Sequence, residues 1–155
     1  MTISIDRLCP GDEWILEHLA VNEADFDLDG RGAPLRPLDP PAAHRYLANP
    51  AVLHWVALED NEILGHLQCT LLPLRSGDGQ ELLLHEIGVR SASRRRGAGR
   101  ALLTHMEGWM ATQGVGVVWV LADNPIAVEF YRACGFAAEE PQPVYMLRHL
   151  APRRR

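Results

Sequence analysis

Lysine is absent: all fifteen basic residues of this 155-residue chain are arginines. A phosphate-binding P-loop needs a lysine after its second glycine and a hydroxyl residue after that, so that motif is excluded. Cysteine is scarce. Cys9, Cys69 and Cys134 are odd in number and far apart, which suggests neither a disulfide framework nor a C-x-x-C metal site, and we read them as buried thiols. The seven histidines show no H-E-x-x-H or other ligand spacing, and no metal is expected. No stretch approaches the ~20 consecutive apolar residues of a membrane span. The opening MTISIDRL carries Asp6 and no continuous apolar region, so a cytoplasmic protein without a signal peptide is expected. Internal repeats and low-complexity linkers are missing as well.

What is present is the composition of an ordinary globular protein, 47% hydrophobic and 23% charged, at a length that supports a single core. One domain over residues 1–150 with a basic tail at 151–155 is the expectation. The net charge of -5 is unevenly distributed: residues 1–80 hold thirteen acids and five arginines, residues 81–155 seven acids and ten arginines. A cationic ligand suits the first part and a polyphosphate the second, with plain surface solvation as the alternative for the acids. Nucleic-acid binding conflicts with the negative total and with the lack of basic clustering beyond Arg94–Arg96.

Residues 82–99, LLLHEIGVRSASRRRGAG, read as a covered strand running into an arginine-rich turn that opens a helix. Leu102, Leu103, Met106, Trp109 and Met110 then recur near a 3.6-residue period. Between strand and helix, Gly97 and Gly99 let backbone N–H groups approach an anion, and the helix N-terminus adds unpaired N–H groups and about half a positive charge. Arg94, Arg95, Arg96 and Arg100 complete a candidate phosphate cradle with Ala98. The dinucleotide fingerprint G-x-G-x-x-G lacks its third glycine here, and the competing reading is a solvated basic turn. A second signal is ADNPIAVEFYRACGF at 122–136: Asn124 is suited to an N-cap, Pro125 to the first helical position, and Gly135 to a left-handed termination.

Around these motifs, residues 2–8 alternate as a strand and 11–21 read as an amphipathic helix. Residues 25–41 read as a loop, and 41–48 as a second helix. Residues 51–59 and 62–74 form a hairpin across Asp60-Asn61, 82–90 a central strand, 97–113 a long helix, and 115–121 a strand buried on both faces. The last strand–helix–strand unit predicts a right-handed parallel crossover. Residues 137–150 are expected to supply one more hairpin arm or two short strands.

R-x-x-G-x-G at Arg94–Gly99, followed by N-x-x-A-x-x-F-Y-x-x-x-G-F at Asn124–Phe136, resembles the GCN5-related N-acetyltransferase (GNAT) superfamily. Over most of the chain this resemblance implies an α+β fold: a mostly antiparallel sheet of six to seven strands with one splayed parallel pair, flanked by about four helices. It also implies acetyl-coenzyme A (acetyl-CoA) as cofactor, amine acetylation as reaction, and a homodimer. The pantetheine arm would lie in the splay as an extra strand along Ile87 and Val89, with Gly88 easing a bulge. An N–H group there could stabilise the developing oxyanion.

An amine near neutral pH is mostly ammonium, so a base is required near the thioester. Glu86 is the candidate, since partial burial would raise its pKa; His85 is the rival, and strand alternation should send only one of the two into the cleft. A salt-bridged or surface acid is the plain alternative. The resemblance implies that Tyr131 reaches the coenzyme A sulfur as general acid, with Asn124, Ala127 and Phe130 also on the cofactor. A core aromatic and a simple N-cap are the alternatives for Tyr131 and Asn124. Within the superfamily the chain is most similar to the aminoglycoside 3-N-acetyltransferases, through an acid followed by Ile-Gly-Val, the arginines before the glycine turn, and Asp123 ahead of the second motif. Glu86 stands where aspartate would be expected. Asp25, Asp27, Asp29, Glu86 and Asp123 are the candidate contacts to a polycationic acceptor, with a solvated loop as the alternative for the first three. Polyamines, small metabolic amines and protein N-termini are the other acceptors, and a domain that senses acetyl-CoA without turnover is the non-enzymatic alternative.

Overall fold

A computed structural model describes residues 2–27 and 32–151, so Asp29 and the tail at 152–155 lie outside the described residues. In chain order the elements are β1 (Ser4–Arg7), α1 (Glu13–Val21), α2 (Glu23–Phe26), α3 (Pro40–Ala48), β2 (Val52–Glu59), β3 (Glu62–Pro73), β4 (Gln80–Val89), α4 (Ala98–Gln113), β5 (Val118–Val120) and α5 (Pro125–Ala133). One sheet runs in the order β1-β2-β3-β4-β5, antiparallel except for the parallel β4–β5 pair. This is the expected α+β architecture with its parallel crossover.

Local chemistry accounts for most boundaries. Asp39 caps α3 by accepting from Ala42 N at 2.8 Å, with Pro40 at the first helical position, and Asn124 caps α5 by accepting from Ala127 N at 2.8 Å ahead of Pro125. The β2–β3 hairpin turns at Asp60 and Asn61, both at positive φ (51° and 64°), which matches the twist of the flanking strands. Helix α5 stops where Gly135 takes φ 93° and Phe136 N donates to Tyr131 O at 2.9 Å.

The sheet is covered on both faces. Against one, Leu102, Leu103, Met106 and Met110 of α4 and Ala127 and Tyr131 of α5 pack on Leu53, Trp55, Leu67, Leu82 and Leu84. Against the other, Ile15, Leu19, Phe26 and Leu47 of α1–α3 pack on Val56 and Ile63. No described helix is long and apolar enough to cross a membrane.

Several expectations are corrected. The sheet has five strands among the described residues, against six to seven expected, and five α-helices replace about four. Residues 137–150 form no strand: Pro141 and Pro143 have no N–H to offer a ladder, and the segment runs exposed past α5. Only Val118–Val120 of the apolar run at 115–121 pair with β4, and as the edge strand β5 is half-buried rather than covered on both faces. The additional helix α2 starts in residues 22–24, to which no element was assigned, and runs into the segment read as loop at Asp25 and Phe26. Cys9 is exposed in the turn after β1, where its N–H donates to Asp12 Oδ2 at 2.9 Å; Cys69 is buried and Cys134 half-buried.

Candidate active site

Strands β4 and β5 pair only at Leu82–Val118, Leu83–Trp119 and Leu84–Val120, whereas β4 continues to Val89. Beyond Leu84 the two diverge, and a cleft of about 240 Å³ occupies the divergence. Its lining brings together Asp27, His85, Glu86, Ile87, Gly88, Asp123, Asn124, Ala127 and Tyr131, all singled out from the sequence. It also includes Glu23, Phe26 and His66, which were not.

The entry of both His85 and Glu86 departs from the expected alternation. In the β3–β4 register Gln68 opposes Glu86 and Cys69 opposes Leu84, so His85 is an extra residue with no partner. This bulge lies at His85 and not at Gly88, and it cancels the two-residue period that would have turned one of the pair away. Gly88 has a different reason to be glycine. A Cβ there would sit 2.8 Å from Phe26 O and 3.1 Å from His66 Nε2, so its bareness lets α2 close over the strand.

Three carboxylates other than Glu86 face the cleft: Glu23 and Asp27 from the α2 side and Asp123 from the β5–α5 turn. Burial, with Glu23 adding to it, raises the Glu86 carboxyl above its ordinary range, although the side chain remains open to solvent through the mouth. Glu23 is raised in the same way, by burial first and then by Asp27. Burial also raises the Tyr131 phenol, so it stays protonated at neutral pH. Asn124 uses Oδ1 as the helix cap and donates through Nδ2 to Asp123 Oδ1 at 3.2 Å.

Asp25 is not brought into the cleft. It accepts from Ser91 N at 3.2 Å and from the Ser91 hydroxyl, which holds its carboxyl below the usual range, and pairs with Arg90. Arg94 donates to Val89 O at 3.2 Å and to Asp27 O, and Arg96 pairs with Glu59. Val89 O is therefore engaged within the protein, and of the two residues expected beside pantetheine only Ile87 lines the cleft. Arg95 and Arg100 are exposed and form no ion pair among the described residues. Gly97 is left-handed (φ 89°) and exposed, and the first helical bond of α4 is Ala101 N to Gly97 O, which leaves the N–H groups of Ala98, Gly99 and Arg100 without intrahelical acceptors. The two motifs meet directly: a Cβ on Gly99 would lie 3.2 Å from the Phe130 ring.

Residues 11–136 match the acetyltransferase (GNAT) family. The chain belongs to that family. This GNAT protein is accordingly an acyltransferase, of a family that uses acetyl-CoA. No curated protein sequence matches it. Among solved structures it is similar to an aminoglycoside acetyltransferase from an uncultured soil metagenomic sample. With trehalose bound, that structure shows a TM-score of 0.82 at 24% identity over 96% of this chain and 97% of the other. With sisomicin bound the values are 0.80 and 25% over the same shares. A ribosomal-protein-alanine N-acetyltransferase from Brucella melitensis biovar Abortus 2308 gives 0.75 at 17% identity over 96% of this chain and 100% of that one. At such identities the likeness shows a common fold across different acceptors.

The residues present fit acetyl-CoA. A β4 edge without a strand partner beyond Leu84 can pair with an extended amide chain, and the α4 N-terminus with Arg95 and Arg100 offers N–H groups and charge to a diphosphate.

Proposed function

We propose that the protein transfers acetyl from acetyl-CoA to a primary amine of a cationic small molecule, with the 3-amino group of an aminoglycoside as the acceptor, an acetylation that would confer resistance to the antibiotic. One observation carries this reading: Glu23, Asp27, Glu86 and Asp123 converge on the cleft where β4 and β5 part. Four carboxylates around one opening concentrate a polycation, and their field strengthens in a partly dry cleft. The likeness to an acetyltransferase crystallised with sisomicin supports the acceptor class.

When bound, acetyl-CoA supplies the acetyl group as an activated thioester. Ile87 and Gly88 would hold its pantetheine arm, and the N–H groups of Ala98, Gly99 and Arg100 its phosphates. Glu86 takes a proton from the acceptor ammonium; its raised pKa makes the carboxylate a stronger base than an exposed glutamate. Tyr131 holds its hydroxyl proton toward the cleft, ready for the departing sulfur. Orientation of two reactants in one cleft supplies the larger part of the acceleration. The requirement for acetyl-CoA fits a cytoplasmic protein.

Thiol release from acetyl-CoA is expected with gentamicin and not with spermidine or an N-terminal peptide, and NMR of the product should locate the acetyl group on the 3-amine. Turnover with spermidine or the peptide alone would reassign the acceptor. Binding of acetyl-CoA without turnover across the panel would make the protein a sensor.

The working form is a homodimer in which residues 143–150 of one copy lie along the open edge of β5 in the other. Val144, Tyr145, Met146, Leu147 and Leu150 are 66–86% exposed, a run of apolar side chains that a solitary chain leaves in water. The β5 edge is likewise unpaired among the described residues. Sedimentation should show a dimer at micromolar concentration and a folded monomer for Val144→Asp with Met146→Asp; a monomeric parent chain would refute the arrangement.

A further inference from the structure

Next to the cleft lies a second cavity of about 180 Å³ between α1, α3 and the sheet, and the two share Glu23, His66 and Glu86 in their linings. Along the second cavity runs a continuous hydrogen-bonded row that reaches the cleft at His66. The Tyr46 hydroxyl and His54 Nδ1 are 2.9 Å apart, and His54 Nε2 and His66 Nδ1 are 3.0 Å apart. His66 Nε2 has no hydrogen-bond partner among the described side chains and stands against bare Gly88 at the cleft.

From this geometry we infer that His66, His54 and Tyr46 form a proton relay that carries the proton released by the acceptor amine from the cleft to the second cavity. The inference rests on the acetyl-transfer reading above. Its steps balance. Before transfer, His66 Nδ1–H donates to His54 Nε2, His54 Nδ1–H donates to Tyr46 Oη, and the Tyr46 hydroxyl faces the second cavity. A proton received at His66 Nε2, from Glu86 by way of cleft water, displaces the Nδ1 proton to His54. His54 in turn passes its own Nδ1 proton to Tyr46, which releases its hydroxyl proton to water. Each group ends with as many protons as it began with, in the opposite tautomer. Once products leave, the reverse shift resets the row: Tyr46 takes a proton from the second cavity and His66 gives one up to the open cleft, so the relay removes the proton only for as long as the reactants fill the cleft.

The surroundings suit conduction. Burial, reinforced for His54 by His66, pushes the two imidazoles down to about 3 and about 4, so both are neutral at physiological pH and each has one donor and one acceptor nitrogen. Phe26, edge-on at 5.7 Å from His66, holds that ring in place.

Two variants keep the packing and break the path. Tyr46→Phe removes only the hydroxyl at the outer end, and His54→Gln keeps one donor and one acceptor but passes no proton along. Each is expected to lower kcat about tenfold with unchanged acetyl-CoA affinity, and to lower the melting temperature, because a buried imidazole nitrogen loses its partner. The proton inventory in mixed light and heavy water should change from curved, for several protons in flight, to linear. Wild-type kcat and a wild-type inventory in both variants would overturn the relay and leave the acetyl-transfer reading intact. A parent protein that turns over no amine would overturn that reading and the relay together, and is seen before any substitution is made.

Discussion

Glu86→Gln is expected to lower kcat on the order of 10²- to 10⁴-fold while leaving the dissociation constant for acetyl-CoA unchanged. The bulge at His85 directs Glu86 into the cleft, and burial with Glu23 raises its pKa. An amide of the same shape preserves the fit but accepts no proton. Activity should also fall as pH drops through the raised pKa of Glu86, because the carboxylate is the working form; in the Gln variant that acidic limb should vanish. Stability responds with the opposite sense. Between the ordinary value of 4.5 and the raised folded value, the folded protein holds more proton than the unfolded chain, so the free energy of unfolding declines as pH rises. Above both values the penalty is complete, so Glu86→Gln should melt no lower than the parent at neutral pH and higher if the shift is large. Calorimetry and a pH–rate profile on one preparation check both. Undiminished kcat would transfer the role of base to His85 or to water.

Tyr131→Phe is expected to reduce kcat by about 10- to 10²-fold with little change in cofactor affinity or melting temperature. A thiolate is already a fair leaving group, so assistance to it is worth less than removal of an ammonium proton. Phenylalanine keeps the edge contact with Phe130 at 5.4 Å and the tilted contact with Phe136 at 5.2 Å, and the hydroxyl has no hydrogen-bond partner among the described residues that its loss would strand. Stopped-flow thiol release separates chemistry from product dissociation. A wild-type rate in this variant would remove Tyr131 as acid and leave it a core aromatic.

The parts legible in the sequence were those governed by neighbours along the chain. Asn124, Pro125 and Gly135 bound α5 by capping and left-handed termination, both rules of adjacent residues. Gly97 and the period of α4 announced a strand-to-helix turn in the same way. What escaped was decided across the sheet. The bulge at His85 exists only relative to Gln68 and Cys69 on β3, so alternation along β4 alone gave the wrong orientation. Helix α2 is four residues long, too short for a period to register, so Glu23, between the first helix and the loop reading, and Phe26, within that loop reading, stayed hidden. His66 reads as one more residue in an apolar run, and only the fold brings it beside Gly88 and His54. Residues 137–150 were expected as a hairpin arm or two short strands, but two prolines and the lack of a partner strand among the described residues left them out of the sheet.

The contact between Phe130 and Gly99 packs the start of α4 against α5, the two elements that would face the coenzyme. The opposite wall, Glu23 to Asp27, is a brief appendage laid over Gly88. Under the proposed function, acceptor choice would rest partly on this short segment, through Glu23 and Asp27, and partly on Glu86 and Asp123 across the cleft. Replacing Glu23 and Asp27 by their amides is therefore expected to weaken a cationic acceptor more than it weakens acetyl-CoA, with buried Phe26 kept to hold the segment in place.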